Sequence, residues 1–273
     1  VTTGSDATRN MARLRDDFTL IATATGTTAK ATAVLAEMDT TIADAKAVFE
    51  RGEKMQLAYN VRNTHRAVGT RLSSEITRTF GLRLRLLPVT DDPVRTKVTT
   101  PDGSTLAFQE YFVREHHDVD VARVEVMGAG TARPAPGVME AIRDADVVVV
   151  APSNPVVSIE PVLLVPGIRE ALIERRSSVI AVSPIVGGAA LKGPADRLLR
   201  NLGHEPSVLG IARWYAPLAA TLVIDMEDDH HSAAVENAGM RCVVADTIMR
   251  SVDVSADLAS LVVAAARDSV EEP

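Results

Sequence analysis

VVVVAPSNPVVSI, Val147 to Ile159, and IAVSPIVGGAALKGPA, Ile180 to Ala195, decide the fold. Each opens with aliphatic residues too apolar to face water, halts at small and polar residues, and runs into a helix-compatible stretch. That is the strand, loop and helix order of an open parallel sheet, whose ligands sit at the carboxyl ends of its strands. The first loop offers Ser153, Asn154 and Ser158 as hydrogen-bonding groups; the second offers Gly187 and Gly188 for close backbone approach and Lys192 as a cation. Together they suit a phosphorylated ligand. Each also has a plainer reading, since Asn-Pro favours turns and a Gly-Gly pair can be an ordinary loop.

The same alternation extends in both directions. A helix through VMEAIRDA leads into a strand over 147–151, and PGIREALIERR leads into a strand over 178–183. PADRLLRNLG is bracketed by Pro194 and Gly203, the favoured order for a helix. SVLGIARWYA, TLVID, HSAAVENAG and RCVVADT read as helix, strand, helix and strand, and Ser255 is expected to cap a last helix, ADLASLVVAAAR. Repeated helix and strand make the fold class α/β: a Rossmann-like, mostly parallel, doubly wound sheet. Residues 95–113 predict an antiparallel hairpin lobe, RTKVTT and STLAFQEYFV flanking the turn Pro101-Asp102-Gly103. Arg83 to Pro88 alternates Leu and Arg as a half-buried strand would, and ends at Thr90, Asp91 and Asp92. The chain thus divides into a divergent N-terminal segment, 1–81, able to join the same sheet, and a core, 82–273. Within the former, DFTLIA, ATGTT and AKATAVLAEM could form strand, loop and helix, a weak entry to a nucleotide loop.

Composition excludes several classes. Of 273 residues 46% are apolar, enough to bury a sizeable core, and the net charge of -7 argues against nucleic acid or an anionic membrane as partner. No apolar run nears the roughly 20 residues that cross a bilayer, and Val1 to Arg15 has no signal-peptide core, so a cytoplasmic location is expected. The single cysteine, Cys242, has no partner for an intrachain disulfide and reads as a small buried hydrophobe.

Asp91 and Asp92 could cap the turn that Pro93 begins, or hold a magnesium ion, which takes one or two carboxylates plus phosphate and water. Asp225, Asp228, Asp229, His230 and His231 form a denser set of potential ligands in a hydrophilic loop, where such runs are usually solvated; His116 and His117 read the same way. Gly26, Thr27, Thr28 and Lys30 lack the glycine spacing of a Walker loop, and neither a nucleophile elbow nor HExxH is present.

One ordered series is far more specific than its parts: LLPVTDDPVRT, FQEYFV, APGVMEAI, APSNPVVSI, PGIREAL and SPIVGGAALKGPAD. On it, from about Leu82 to Ala265, the chain resembles the 2-phospho-L-lactate transferase family of coenzyme F-420 biosynthesis. The resemblance implies a Rossmann-like core, a homodimer and Mg²⁺ dependence. The activity it implies is transfer of a phospholactyl, phosphoenolpyruvyl or phosphoglyceryl group from a guanosine diphosphate conjugate to the deazaflavin alcohol Fo, releasing GMP. It implies nucleotide and phosphate contacts at Ser153, Asn154, Ser158, Ser183, Gly187, Gly188 and Lys192. Thr90 and Arg95 would serve the acceptor, and Asp91 and Asp92 catalysis or the metal.

The first third departs from that pattern: ATGTTAK only echoes the family's glycine-rich opening, and no Gly-Asp-Asp segment follows. Ala43 to Gly81 separately resembles a segment of the glutamate synthase large subunit. Two alternatives therefore stand beside the transferase: a non-catalytic nucleotide-binding or scaffold protein, and a glutamate synthase relative.

Overall fold

Two strands buried along their whole length organise the molecule. Val179–Val182 (β5) and Thr221–Asp225 (β8) lie side by side in parallel, Ile180 opposite Thr221. Val148–Val150 (β4) flanks the first and Arg241–Ala245 (β9) the second, giving a four-stranded parallel sheet in the order β4-β5-β8-β9. The structure is a computed structural model that describes residues 85–271 apart from Lys192, together with Thr70 and Ser73. The expectations for residues 1–69 and for 74–84 lie outside the described residues.

Side chains alternate across the sheet, so each central strand feeds two cores. Ile180, Val182 and Val223 meet Leu258, Val262 and Ala265 of the C-terminal helix Val252–Glu271. Ala181, Leu222 and Ile224 belong to the larger core on the other face, with Leu198, Ile211 and Tyr215. Helices therefore cover both faces, and the fold is α/β, as the alternation of elements indicated.

All the helices but the last are short. They are α1 (Val138–Asp144), α2 (Glu160–Leu163), α3 (Ile168–Glu174), α4 (Ala195–Asn201), α5 (Val208–Tyr215), α6 (Ser232–Asn237) and the C-terminal α7. The cap of α7 differs from expectation. Ser251, not Ser255, accepts a hydrogen bond from Val254 N–H at 3.2 Å, and Ser255 sits one turn inside, its hydroxyl donating to Ser251 O at 2.8 Å.

A second, antiparallel sheet is built from Arg95–Thr99 (β1), Thr105–Ala107 (β2) and Arg123–Met127 (β3) in the order β2-β1-β3. The predicted hairpin is there, but its second strand stops at Ala107. Phe108, Tyr111 and Phe112 are spaced i, i+3, i+4, so they share a face only if the chain coils. Residues Glu110–Arg114 accordingly form a π-helical turn, with Tyr111 fully buried and its ring 6.1 Å from that of Phe108. Strand β3 was not anticipated, and Arg85 to Pro88 is irregular rather than a strand. Among the described residues no helix is long and apolar enough to cross a membrane.

Gly210 lies inside α5, where alanine is normally favoured by about 1 kcal/mol. Here a Cβ would stand 1.9 Å from the Glu205 carbonyl oxygen. Gly210→Ala should therefore lower stability by roughly 1–3 kcal/mol, the usual cost of overpacking. Urea unfolding measures it, and an unchanged or raised midpoint would contradict the close approach.

Candidate active site

Because all four strands of the main sheet run parallel, their carboxyl ends share one rim. The segments after β4, β5, β8 and β9 all leave from it. After β4, Asn154 begins a π-helical turn, Pro155–Ile159, with proline at its first position. Its Oδ1 accepts from Val156 N–H at 3.0 Å and Val157 N–H at 3.3 Å. Two backbone donors fix which end of the amide is oxygen, so Nδ2 has a defined place; it is buried and, among the described residues, has no hydrogen-bond partner. A buried, unsatisfied donor is costly, and such groups call for an explanation. Ser153 and Ser158 are half-buried beside it.

After β5 the chain makes a miniature hairpin, Ile185–Val186 (β6) against Ala189–Ala190 (β7), in place of an open loop. Gly187 and Gly188 are its two central residues, with φ of 58° and 78°. Positive φ at both is the requirement of the tight turn that matches strand twist, which explains the glycine pair by conformation. Ser183 is 2% exposed; its hydroxyl donates to Ile185 O at 2.9 Å and accepts from Ile185 N–H at 3.1 Å. Gly187 N–H donates to Asp228 Oδ2 at 3.0 Å. Lys192 lies outside the described residues.

Thr90, Asp91 and Asp92 form a separate cluster. Asp91 accepts from Thr70 twice, at 2.8 Å from its N–H and 2.6 Å from its hydroxyl. Thr90 Oγ1 donates to Arg133 O at 2.6 Å and accepts from Asp92 N–H at 3.0 Å. Asp92 Oδ2 accepts from Arg133 N–H at 2.9 Å and stands 3.7 Å from that residue's guanidinium. Asp92 and Arg133, with Pro93, Gly128, Thr131 and Ala132, line a depression of about 340 Å³. Arg95 is exposed on β1, opposite Met127. Among the described residues no hydrogen bond joins this cluster to the loops of Asn154 or Gly187.

The dense run of acids and histidines after β8 separates on folding. Asp225 and Asp228 are 4% and 3% exposed, whereas Asp229 and His230 face water. Among the described residues no three His, Cys, Asp or Glu side chains are grouped to hold a metal ion. Asp225 accepts from Thr247 N–H at 2.9 Å, Thr247 hydroxyl at 2.7 Å and Glu227 N–H at 3.1 Å. Burial alone would raise its pKa, but those hydrogen bonds, helped by Arg250, outweigh it and hold the carboxyl below the usual value. Sequence reasoning passed over Arg133 and weighed Asp228 only as one of five potential metal ligands. Nothing in RPAPG marks the first, and the second was hidden among acids that look alike.

The model of the family described as 2-phospho-L-lactate transferase CofD matches residues 3–262, a span that includes the rim loops, the 90–92 segment and residues 43–81. The chain belongs to the 2-phospho-L-lactate transferase family. It is 41% identical over 226 residues to a phosphoenolpyruvate transferase of Kitasatospora aureofaciens, covering 80% of this chain and 70% of the relative. It is 38% identical over 215 residues to a 2-phospho-L-lactate transferase of Methanosarcina acetivorans, covering 78% and 69%. A solved protein from Bacillus halodurans superposes with a TM-score of 0.45 at 20% identity, over 64% of this chain and 59% of its own.

In this family member the depressed pKa of Asp225 has a thermodynamic consequence. A carboxyl whose folded pKa lies below its unfolded value of about 3.9 adds stability that is present above that value and lost as pH falls through the folded one. The gap in melting temperature between wild type and Asp225→Asn should thus be widest near neutrality and close below about pH 4. Melts from pH 7 to pH 3 test this; a constant gap would show that the charge is immaterial.

Proposed function

We propose that this chain transfers a phospholactyl, phosphoenolpyruvyl or phosphoglyceryl group from a guanosine diphosphate conjugate to the deazaflavin alcohol Fo, releasing GMP, in coenzyme F-420 biosynthesis. We further propose that it acts as a homodimer, as the resemblance to the family implies, and that it works in the cytoplasm. Membership of the family and the names of its phosphoenolpyruvate and phospholactate relatives support the substrate class. The observation that carries the reading is Asn154 Nδ2, a buried donor with locked orientation at the carboxyl rim of a parallel sheet, where an acceptor oxygen of a nucleotide would satisfy it.

In this scheme the terminal ribityl hydroxyl of Fo attacks the phosphorus nearer the acid. The bond from that phosphorus to the oxygen bridging the two phosphates breaks, and GMP leaves with that oxygen. The hydroxyl proton passes to a carboxylate, for which Asp92 is the candidate: its Oδ1 makes no hydrogen bond among the described residues, whereas both oxygens of Asp91 are engaged by Thr70. Thr90 and Arg95 serve the acceptor. Ser153, Ser158, Gly188 and Lys192 complete the nucleotide side, largely by positioning and charge stabilisation, while Ser183, its hydroxyl closed on Ile185, shapes its own turn.

Magnesium fits the donor set. Asp92 offers a hard carboxylate oxygen on the wall of a polar depression, and Mg²⁺ takes one or two such ligands and leaves the rest to substrate and water. When bound, the ion would neutralise charge on the diphosphate. Of the two aspartates, Asp92 would hold it, since Thr70 engages both oxygens of Asp91.

A second reading, a nucleotide-binding scaffold without transferase activity, draws on the commitment of Asp91 to Thr70 and of Gly187 N–H to Asp228. Calorimetry with GDP, followed by incubation with Fo, Mg²⁺ and each donor read by mass spectrometry, separates the two: binding without transfer supports the scaffold. For the transferase, Asp92→Asn should cut turnover by at least about 100-fold, the lower end of general-base contributions, with GDP affinity near wild type. Wild-type turnover in that variant would remove Asp92 from the chemistry.

Asn154→Asp keeps an oxygen at the cap, removes the Nδ2 donor and adds a negative charge. It should weaken GDP binding about tenfold or more, as loss of one buried hydrogen bond beside an added like charge would, at little cost in melting temperature. Unchanged GDP affinity would detach Asn154 from the nucleotide.

A further inference from the structure

Asp228 is a buried carboxylate that the transfer chemistry above does not use. It lies in the 3-10 turn Met226–His231 that follows β8, 3% exposed, and its Oδ2 accepts the Gly187 N–H at 3.0 Å across 41 residues of sequence. The hairpin it grips has two residues in each strand. So short a pairing has no independent stability in water: burial of Ile185 and Val186 in the core fixes its first strand, and the exposed tip, Gly187-Gly188, depends on a further restraint.

The restraint is two-sided. Glu227 Oε2 stands 3.0 Å from where a Cβ on Gly187 would be, so the hairpin tip is flanked by one carboxylate that bonds its amide and another against its α-carbon. The turn carrying both acids is itself tied down. Asp225 accepts from Glu227 N–H within the turn and from Thr247 beyond β9. A continuous chain of carboxylate contacts thus runs from the end of β9, through the end of β8, to the loop after β5.

We propose that Asp228 is a positioning residue: its carboxylate holds the β6–β7 hairpin on the sheet rim, so that the loop assigned above to the nucleotide diphosphate is formed before the donor arrives. Preorganisation of this kind acts on donor affinity, because the loop need not be ordered at the moment of binding. It also fixes which amide is available. Gly187 N–H is consumed by Asp228, so donors to the diphosphate come from Gly188 onward.

The inference rests on the proposed transferase reading for its ligand, but the anchor itself can be tested without one. In the full chain, Asp228→Ala should raise hydrogen exchange of amides 185–190 about tenfold or more before any ligand is added, the effect of losing one charge-assisted hydrogen bond. It should raise Kd for GDP and KM for the donor by about the same factor, with kcat and KM for Fo within about threefold. Asp228→Asn keeps an acceptor oxygen for Gly187 and should recover most of the donor KM. If the alanine variant does not fold, Asp228→Glu, which moves the oxygens by one methylene, is expected to show the same rise in donor KM. Unchanged exchange at 185–190 overturns the proposal. So do equal losses in Asp228→Asn and Asp228→Ala, or a loss shared equally between donor and acceptor. A wild-type protein that neither binds GDP nor transfers would instead sink the transferase reading, and the exchange measurement would still decide the anchor.

Discussion

The pairing of β5 with β8 is the constraint on which the rest depends. Both strands are buried on both faces, so each side chain is committed to one of two cores, and a slip of one residue would exchange Ile180 and Val182 for Ala181 in the contact with α7. Ala181 belongs to the larger core with Leu198 and Ile211, and its branched neighbours Ile180 and Val182 to the smaller one with Leu258 and Val262 of α7. With the register fixed in this way, the ends of four parallel strands align without further instruction. The rim is a consequence of core packing, and the polar loops inherit their proximity from it.

What those loops do with their polar groups divides them. Ser183 satisfies its hydroxyl within its own turn, and Gly187 gives its amide to Asp228. Asp225 gathers donors from the end of β9 and from its own turn. These are the closures expected where strands end in a dry environment, since an open polar group there is expensive. Against that background Asn154 stands apart: its oxygen is doubly used and its nitrogen is not. The contrast within one rim is more informative than any single contact, because neighbouring groups have found partners and this one has not.

Much of the parallel sheet was legible in the sequence because its strands are continuous aliphatic runs bounded by abrupt polar stops, and each helix carries a start or stop signal such as Pro194 or Gly203. The antiparallel sheet was less so. FQEYFV contains enough aromatic residues to read as a strand, yet the i, i+3, i+4 spacing of Phe108, Tyr111 and Phe112 prevails once Tyr111 is buried. RVEVM has strand alternation and stops at Gly128, a turn signal that went unused because no second run beside it suggested a partner strand. The glycine pair was seen as a place for close approach, and its hairpin was not. Two residues per strand leave no period to detect. For the site, the residue types and their loops could be read, but the partners could not: Thr70 lies 21 residues from Asp91, and Arg133 lies 41 from Asp92.

The two adjacent aspartates show why partners matter more than position. Both end the same segment and carry the same charge, and the sequence offers no reason to prefer either. Asp91 receives two short hydrogen bonds from one residue, which together lock both carboxylate oxygens. Asp92 shares one oxygen with a backbone amide and with a guanidinium at 3.7 Å, whose side chain is 78% exposed. An exposed ion pair of that kind contributes little, on the order of 0–1 kcal/mol, so exchanging it for a cation or a substrate group costs little. Displacing Asp91 would instead strand a hydroxyl and an amide. By this reasoning the first aspartate is the one that builds the segment, and the second is the one whose side-chain partner is exchanged at little cost.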